Sequence, residues 1–314
     1  MSFHGGQHMN FRHLNDQQRQ DYRDLGYLHL PSLISNTMTH QLMASFQEIK
    51  QKSVPLLRQR TVTYEPHEFT VCGFVENALL DVHRNDIIND ELFSSSARAV
   101  FSDKGLLTAV SDLIGDRCAL VQSMYFESSK GTPEHFDKYF LGSKERSALI
   151  GVWIALEDIE DCAGEFYVYP NSHRNSFDGS QHQNELVDLV ERYAQSSSIG
   201  VDAYQRGNGK TQIKSVIDCK RILATIIEKA GWEKYYPRMK KGDVLLFSSS
   251  TLHGSSTPSP QHRSRNSLTG HFIGLGQNEI RFGARTEPLS IVESDGLLIH
   301  MSKRYEFQSQ PNQY

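Results

Sequence analysis

Apolar residues recur along this chain with two different periods. Leu42, Met43, Phe46 and Ile49 share the spacing of one helix face, which predicts a helix over about 37–52. Leu106 to Ile114 repeats that spacing and stops at Gly115. A polar-faced helix is expected from Asn15 to Leu25, with Asn15 or Asp16 as its N-cap and Gly26 at its end. Tyr27-Leu28-His29-Leu30 then alternates as a short strand closed by Pro31. Residues 53–95 show neither period and read as irregular.

From Cys118 onward the period becomes two. Short apolar runs cover Cys118–Phe126, Ala148–Leu156, Glu165–Tyr169, Asp243–Phe247 and Ser267–Ile273. Turn signals separate them: Gly131-Thr132-Pro133, Ala163-Gly164, Pro170-Asn171, Lys241-Gly242 and Pro258-Ser259-Pro260. Short strands punctuated in this way predict a β-sandwich or jelly roll. With helices ahead of them, they form one α+β domain. Between Ser172 and Pro237 the strands are interrupted by two amphipathic stripes, Leu186–Ala194 and Ile222–Ala230, the second with Asp218 and Gly231 as caps. The expected layout is a single domain over 9–314. It has a helical and irregular part at 9–117, a jelly-roll core at 118–275, and a helical insertion at 172–237. The insertion is expected to fold over the site as a lid; the alternative is a barrel cap or a homodimer contact.

Composition narrows the functional classes. Hydrophobic residues make up 38% and charged residues 22%, as in a globular chain. Basic residues number 33 against 37 acidic, so no nucleic-acid footprint is expected. No apolar run reaches the roughly 18 residues of a membrane span. Cys72, Cys118, Cys162 and Cys219 stand too far apart for a thiolate metal site, and their sparseness suits a cytoplasmic protein. Each reads as a small buried hydrophobe. Residues 1–8 are polar, and His8-Met9 has the look of a cloning scar or tag ahead of a start at Met9.

The candidate chemistry begins at His135-Phe136-Asp137. On one strand, residues two apart share a face, so the imidazole and carboxylate converge while Phe136 points away. His253, in a His-Gly-Ser turn after the strand that starts at Gly242, is the best third ligand among 14 histidines. Two histidines and one carboxylate on a single face, with three positions open, is the arrangement of non-haem Fe(II) oxygenases. Downstream, Arg265 can grip a dicarboxylate with both arms of its guanidinium, and Arg263 competes for that role.

Taken in order, these motifs resemble the phytanoyl-CoA dioxygenase-like family of Fe(II)/2-oxoglutarate oxygenases. The resemblance runs from Leu14 to about Phe272. It is carried by Leu25-Gly26-Tyr27, His135-Phe136-Asp137, Val152-Trp153 through Glu157-Asp158, Pro170-Asn171-Ser172-His173, Leu252-His253-Gly254-Ser255, and Arg265 six residues before His271-Phe272. The resemblance implies a double-stranded β-helix of the jelly-roll or cupin type. It also implies Fe(II) on His135, Asp137 and His253, with Arg265 holding 2-oxoglutarate helped by Ser255. Trp153 and Gln122 would be further cosubstrate contacts, although a core aromatic is an equal reading of Trp153. His173 and His271 fall at family positions away from the metal. Asn171 stands where the family has a turn glycine, and Asn tolerates the left-handed conformation. Related halogenases carry a small residue at the position of Asp137, so its presence favours hydroxylation.

The implied activity is hydroxylation of an unactivated C–H of a small molecule, using O2 and releasing succinate and CO2. Desaturation, epimerisation or cyclisation at the same iron is the alternative, and a barrel that binds without turnover is a weaker one.

Overall fold

A computed structural model describes residues 14–52, 54–143, 149–174, 223–259, 263–282 and 285–303. The first helix, Asp16–Leu25, is set by its ends. The Asn15 side chain accepts from the Gln18 amide while Gln18 reaches back to the Asn15 amide, and Gly26 (φ 82°) closes the helix. The next helix, Asn36–Lys50, buries Leu42, Phe46 and Ile49, and Lys104–Ile114 ends on a left-handed Gly115. One helix the hydrophobic pattern hid begins inside the stretch 53–95 read as irregular and runs past its end. Glu91–Phe101 buries Phe93, Ala97, Val100 and Phe101 on one face, but its run of serines masks the stripe. Its start was legible at Asp90, whose carboxylate caps the Phe93 amide.

The strands form a large sheet backed by these helices and a small sheet that faces it. The large sheet runs Tyr27–Leu30, Val244–Ser248, Leu149–Ala155, Ser267–Gly274, Cys118–Phe126, Leu297–His300, Ile291–Ser294, with Leu79–Leu80 also on Cys118–Phe126. Its central strands read as continuous apolar runs because both faces are covered. Ile150, Val152, Ile154, Val244 and Leu246 pack outward under the helices. Trp153, Ala155, Leu245 and Phe247 point inward to Phe166 and Val168 of the small sheet. The small sheet orders Thr132–His135, His253–Ser255 and Phe166–Val168, and Tyr235 bridges to Val168 at its far edge. Two facing antiparallel sheets of this topology are a jelly roll.

The sheet extends beyond the expected core on both sides. Besides Tyr27–Leu30, the hairpin Ile291–Ser294 and Leu297–His300 joins it past residue 275. The hairpin signal was available as Asp295-Gly296, both with positive φ (53° and 76°). A small third sheet pairs Glu279–Phe282 with Arg285–Pro288 and Leu141–Gly142.

Of the insertion, residues 175–222 lie outside the described residues, and with them the Leu186–Ala194 stripe, Asp218 and Cys219. Residues 223–230 are helical and end at Gly231 (φ 65°). Leu223 and Ile226 pack on Phe136, Tyr167, Tyr169 and Leu252, the side of the small sheet that faces away from the large one. Among the other cysteines, Cys118 is buried as expected, whereas Cys72 and Cys162 are exposed. No helix among the described residues is long and apolar enough to cross a membrane.

Candidate metal centre

His135 ends its strand, and His253 stands directly opposite it in the antiparallel register. The two rings lie 4.3 Å apart between centroids. Asp137 is not on the strand, contrary to the alternation expected from His-x-Asp. It opens a 3-10 turn, Asp137–Tyr139. The turn is held by the Lys138 amide donating to the Ser249 carbonyl (3.0 Å) and the Phe140 amide donating to the Asp137 carbonyl (2.8 Å). The carboxylate still reaches the histidines: Oδ1 is 3.5 Å from Nε2 of both His135 and His253. One ligand atom from each of the three residues lies within 4.8 Å of the others, a group that can hold a metal ion.

Each histidine is oriented by its own backbone neighbourhood. Nδ1–H of His135 donates to the Pro133 carbonyl and Nδ1–H of His253 to the Thr251 carbonyl, both at 2.9 Å. Both Nε2 lone pairs are thereby turned toward Asp137, the tautomer a metal requires. Residues 170–174 support the His253 strand. The Ser172 hydroxyl donates to the Tyr169 carbonyl (2.6 Å) and accepts from the Leu252 amide (2.9 Å). Asn171 adopts the expected left-handed conformation, with φ 66°. His173 bonds the Arg23 carbonyl (2.9 Å) and stands outside the cluster.

Burial alone would raise the Asp137 carboxyl. The neighbouring His253, His271 and His135 outweigh it and hold the group well below the usual carboxylate range. Burial pushes His253 down, keeping it neutral, while Asp137 outweighs burial at His135 and raises it.

Gly254 sits between His253 and Ser255 where the small sheet is tightest. A Cβ there would lie 2.6 Å from the Tyr167 hydroxyl and 2.7 Å from the Thr132 carbonyl. Gly254→Ala must therefore push apart the strands that carry His135 and His253. The expected loss is about 1–3 kcal/mol in urea unfolding, the usual cost of overpacking. An unchanged midpoint would show that the strands have slack.

A second feature lies along the strand beside the centre. Arg265 is 2% exposed, and burial with no opposing carboxylate pushes its guanidinium down to about 10. Its NH1 donates to the Gly164 carbonyl (3.0 Å), and it lies over the rings of Phe126 (5.1 Å) and Trp153 (5.8 Å). Its Nε has no partner. The same holds for the buried Thr269 Oγ1 and His271 Nδ1, two residues apart on Ser267–Gly274, the strand that Arg265 precedes by two residues. They run from the guanidinium toward His271, whose Nε2 is 3.1 Å from Asp137 Oδ2. Arg263, in contrast, is exposed and pairs with Glu160 (3.3 Å). Sequence reasoning passed over Thr269. Its signal was its place two residues before His271, on the same face of the strand.

The remaining expected residues take distinct places. Ser255 is two residues past His253, and its hydroxyl accepts from the Thr132 amide (2.9 Å), leaving its hydrogen for a ligand. Trp153 is buried, stacks on Phe166 (5.7 Å), and Phe166 lies 5.5 Å from the His253 ring. Trp153 is thus a core aromatic, and its ring also lies under the Arg265 guanidinium. Gln122 pairs with His271 at a β-bulge, after which Leu120 rather than Val121 faces Phe272. The extra residue exchanges the two faces of that strand. Gln122 thereby joins the inner side with Phe126.

The family model described as phytanoyl-CoA dioxygenase (PhyH) matches residues 22–266, a span that contains all three cluster residues and Arg265. Among solved structures, the non-heme alpha ketoglutarate dependent carbocyclase SnoK from nogalamycin biosynthesis is 17% identical, covering 93% of this chain and 98% of its own, at TM-score 0.56. The epimerase SnoN in complex with Fe3+, alpha ketoglutarate and nogalamycin RO is 14% identical, with coverage of 90% and 96% and TM-score 0.54. EctD from S. alaskensis with 2-oxoglutarate and 5-hydroxyectoine is also 14% identical, with coverage of 84% and 78% and TM-score 0.53. At these identities the likeness is one of fold. No curated protein matches the chain by sequence.

Proposed function

The chain belongs to the phytanoyl-CoA dioxygenase family, and from that premise we propose that it is an Fe(II)- and 2-oxoglutarate-dependent hydroxylase of a small molecule. The observation that carries this reading is Arg265, buried without a counter-charge and with its Nε unpartnered, just ahead of the strand that leads through the unpartnered Thr269 Oγ1 to His271 beside the His-Asp-His cluster. A buried cation without a counter-charge is costly, and a bound carboxylate is the partner that offsets it. The donor set of two imidazoles and one carboxylate fits Fe(II) and leaves positions for other ligands.

His135, Asp137 and His253 would hold the iron. Arg265 would clasp the far carboxylate of 2-oxoglutarate, the Ser255 hydroxyl donating to it, with Trp153 and Gln122 as walls. Bound together, Fe(II) and 2-oxoglutarate supply activation of O2 coupled to decarboxylation to succinate and CO2. The residues of this chain orient that pair. The layer of Trp153, Phe166 and Phe247 beside His253 keeps water from its flank and strengthens the arginine's grip. A cytoplasmic setting, where Fe(II) stays reduced, suits both the cofactor and the sparse cysteines.

Two solved structures of this fold carry out epimerisation and carbocyclisation, so product mass is the deciding measurement. Hydroxylation adds one oxygen, cyclisation or desaturation removes two hydrogens, and epimerisation leaves mass unchanged. Wild-type protein is expected to release succinate from 2-oxoglutarate only with Fe(II) and O2, faster when substrate is present. A protein that neither consumes 2-oxoglutarate nor gains thermal stability from it would refute the assignment.

A further inference from the structure

His271 belongs to the cluster without being one of its three ligand-bearing residues. Its Nε2 lies 3.1 Å from Oδ2 of Asp137, the oxygen turned away from His135 and His253. The imidazole is 5% exposed, and its Nδ1 meets no partner. A hydrogen on Nδ1 would be a buried donor with nothing to accept it, so the neutral ring carries its hydrogen on Nε2 and donates it to Asp137. His271 is held rigidly for that task. It sits on a fully buried strand paired on both sides, with Gly151 and Gln122 as its opposite neighbours.

We infer that His271 is a positioning residue whose Nε2–H occupies Oδ2 of Asp137, so that Asp137 offers a metal one oxygen rather than two. The inference rests on the metal reading above and deepens it. A carboxylate free to rotate can bind through both oxygens and take an extra coordination position. Of six positions around a ligand triad, three must stay open, two for a chelating 2-oxo acid and one for dioxygen. The hydrogen bond to Oδ2 removes the second oxygen from competition. Two amides of the Asp137 turn are committed elsewhere, Lys138 to the Ser249 carbonyl and Phe140 to the Asp137 carbonyl.

The test is anaerobic Co(II) titration of the full chain, read by affinity and by the visible absorption of the bound ion, which reports coordination number. His271→Leu removes the donor, His271→Asn keeps an amide too short to reach Oδ2, and His271→Gln places an N–H where Nε2 was. The Leu and Asn variants are expected to bind Co(II) about 10–100-fold more weakly, as for other outer partners of metal ligands, with an altered spectrum. Gln is expected to restore the wild-type spectrum and affinity to within about threefold. Wild-type affinity and spectrum in the Asn variant, or a Gln variant as impaired as Asn while both melt with wild-type cooperativity, would overturn the positioning role. Wild-type protein that takes up no Co(II) would overturn the metal reading itself, a distinct result. Should the Leu variant fail to fold, the Asn and Gln pair decides alone.

Discussion

Arg265→Met is expected to raise the concentration of 2-oxoglutarate needed for half-maximal turnover by roughly 30-fold to several thousand-fold. That range is what losing a buried, charge-assisted partner worth about 2–5 kcal/mol amounts to at 1.36 kcal/mol per decade. The requirement for the co-oxidised substrate should change far less. Arg263→Ala is the control: its side chain is exposed and paired with Glu160, so its cosubstrate dependence should match wild type. The opposite pattern would move the anion site to Arg263. A second effect separates function from stability. Without cosubstrate, Arg265 has given up its hydration for one carbonyl and two ring faces, contacts together worth about 2–3 kcal/mol. The desolvation of an uncompensated cation exceeds this. Because burial lowers the guanidinium pKa to about 10, folding carries that penalty at every pH where the group is charged and is relieved only above about 10. Urea unfolding of the Met variant at neutral pH is therefore expected at the wild-type midpoint or higher, with the stabilisation by 2-oxoglutarate lost. A midpoint well below wild type would mean that the arginine is structural.

The largest loss is expected at the cluster. His135→Ala, Asp137→Ala and His253→Ala should each lower turnover by more than about 100-fold, since losing a ligand itself should exceed the roughly 10–100-fold lost with an outer partner of a metal ligand. Direct metal uptake should fall with it. Asp137→Ala is the most severe for metal, because it deletes the one negative charge facing the two Nε2 atoms at 3.5 Å. It should not unfold the protein. The carboxylate is the group that draws His135 toward protonation, and its removal leaves no buried charge behind. Turnover at the wild-type level in any of the three variants would remove that residue from the site.

The parts of this protein that could be read ahead of its structure are those whose physics is local. Helix ends are written in single residues: Asn15 and Gly26 bracket the first helix, and Gly115 stops Lys104–Ile114. Both are short-range facts of hydrogen bonding and φ. The strands of the core showed themselves because a period of two, or an unbroken apolar run, is a property of a few adjacent residues. The residue types of the site were equally visible, since two histidines, a carboxylate and a downstream arginine suit one chemistry wherever they lie. What stayed hidden depends on partners far along the chain. Glu91–Phe101 hides its stripe behind serines, and the helix is fixed by Phe46 and Tyr125 packing on Phe93. The strand ends at His135 because Ser249, more than a hundred residues on, claims the Lys138 amide and turns the chain. The face on which Gln122 emerges follows from a bulge against His271. The choice of Arg265 over Arg263, and the hold of His271 on Asp137, follow from strand pairing and burial across more than a hundred residues. Composition and spacing carry the chemistry a chain can attempt; register and burial, set by contacts between distant segments, determine which atoms meet to perform it.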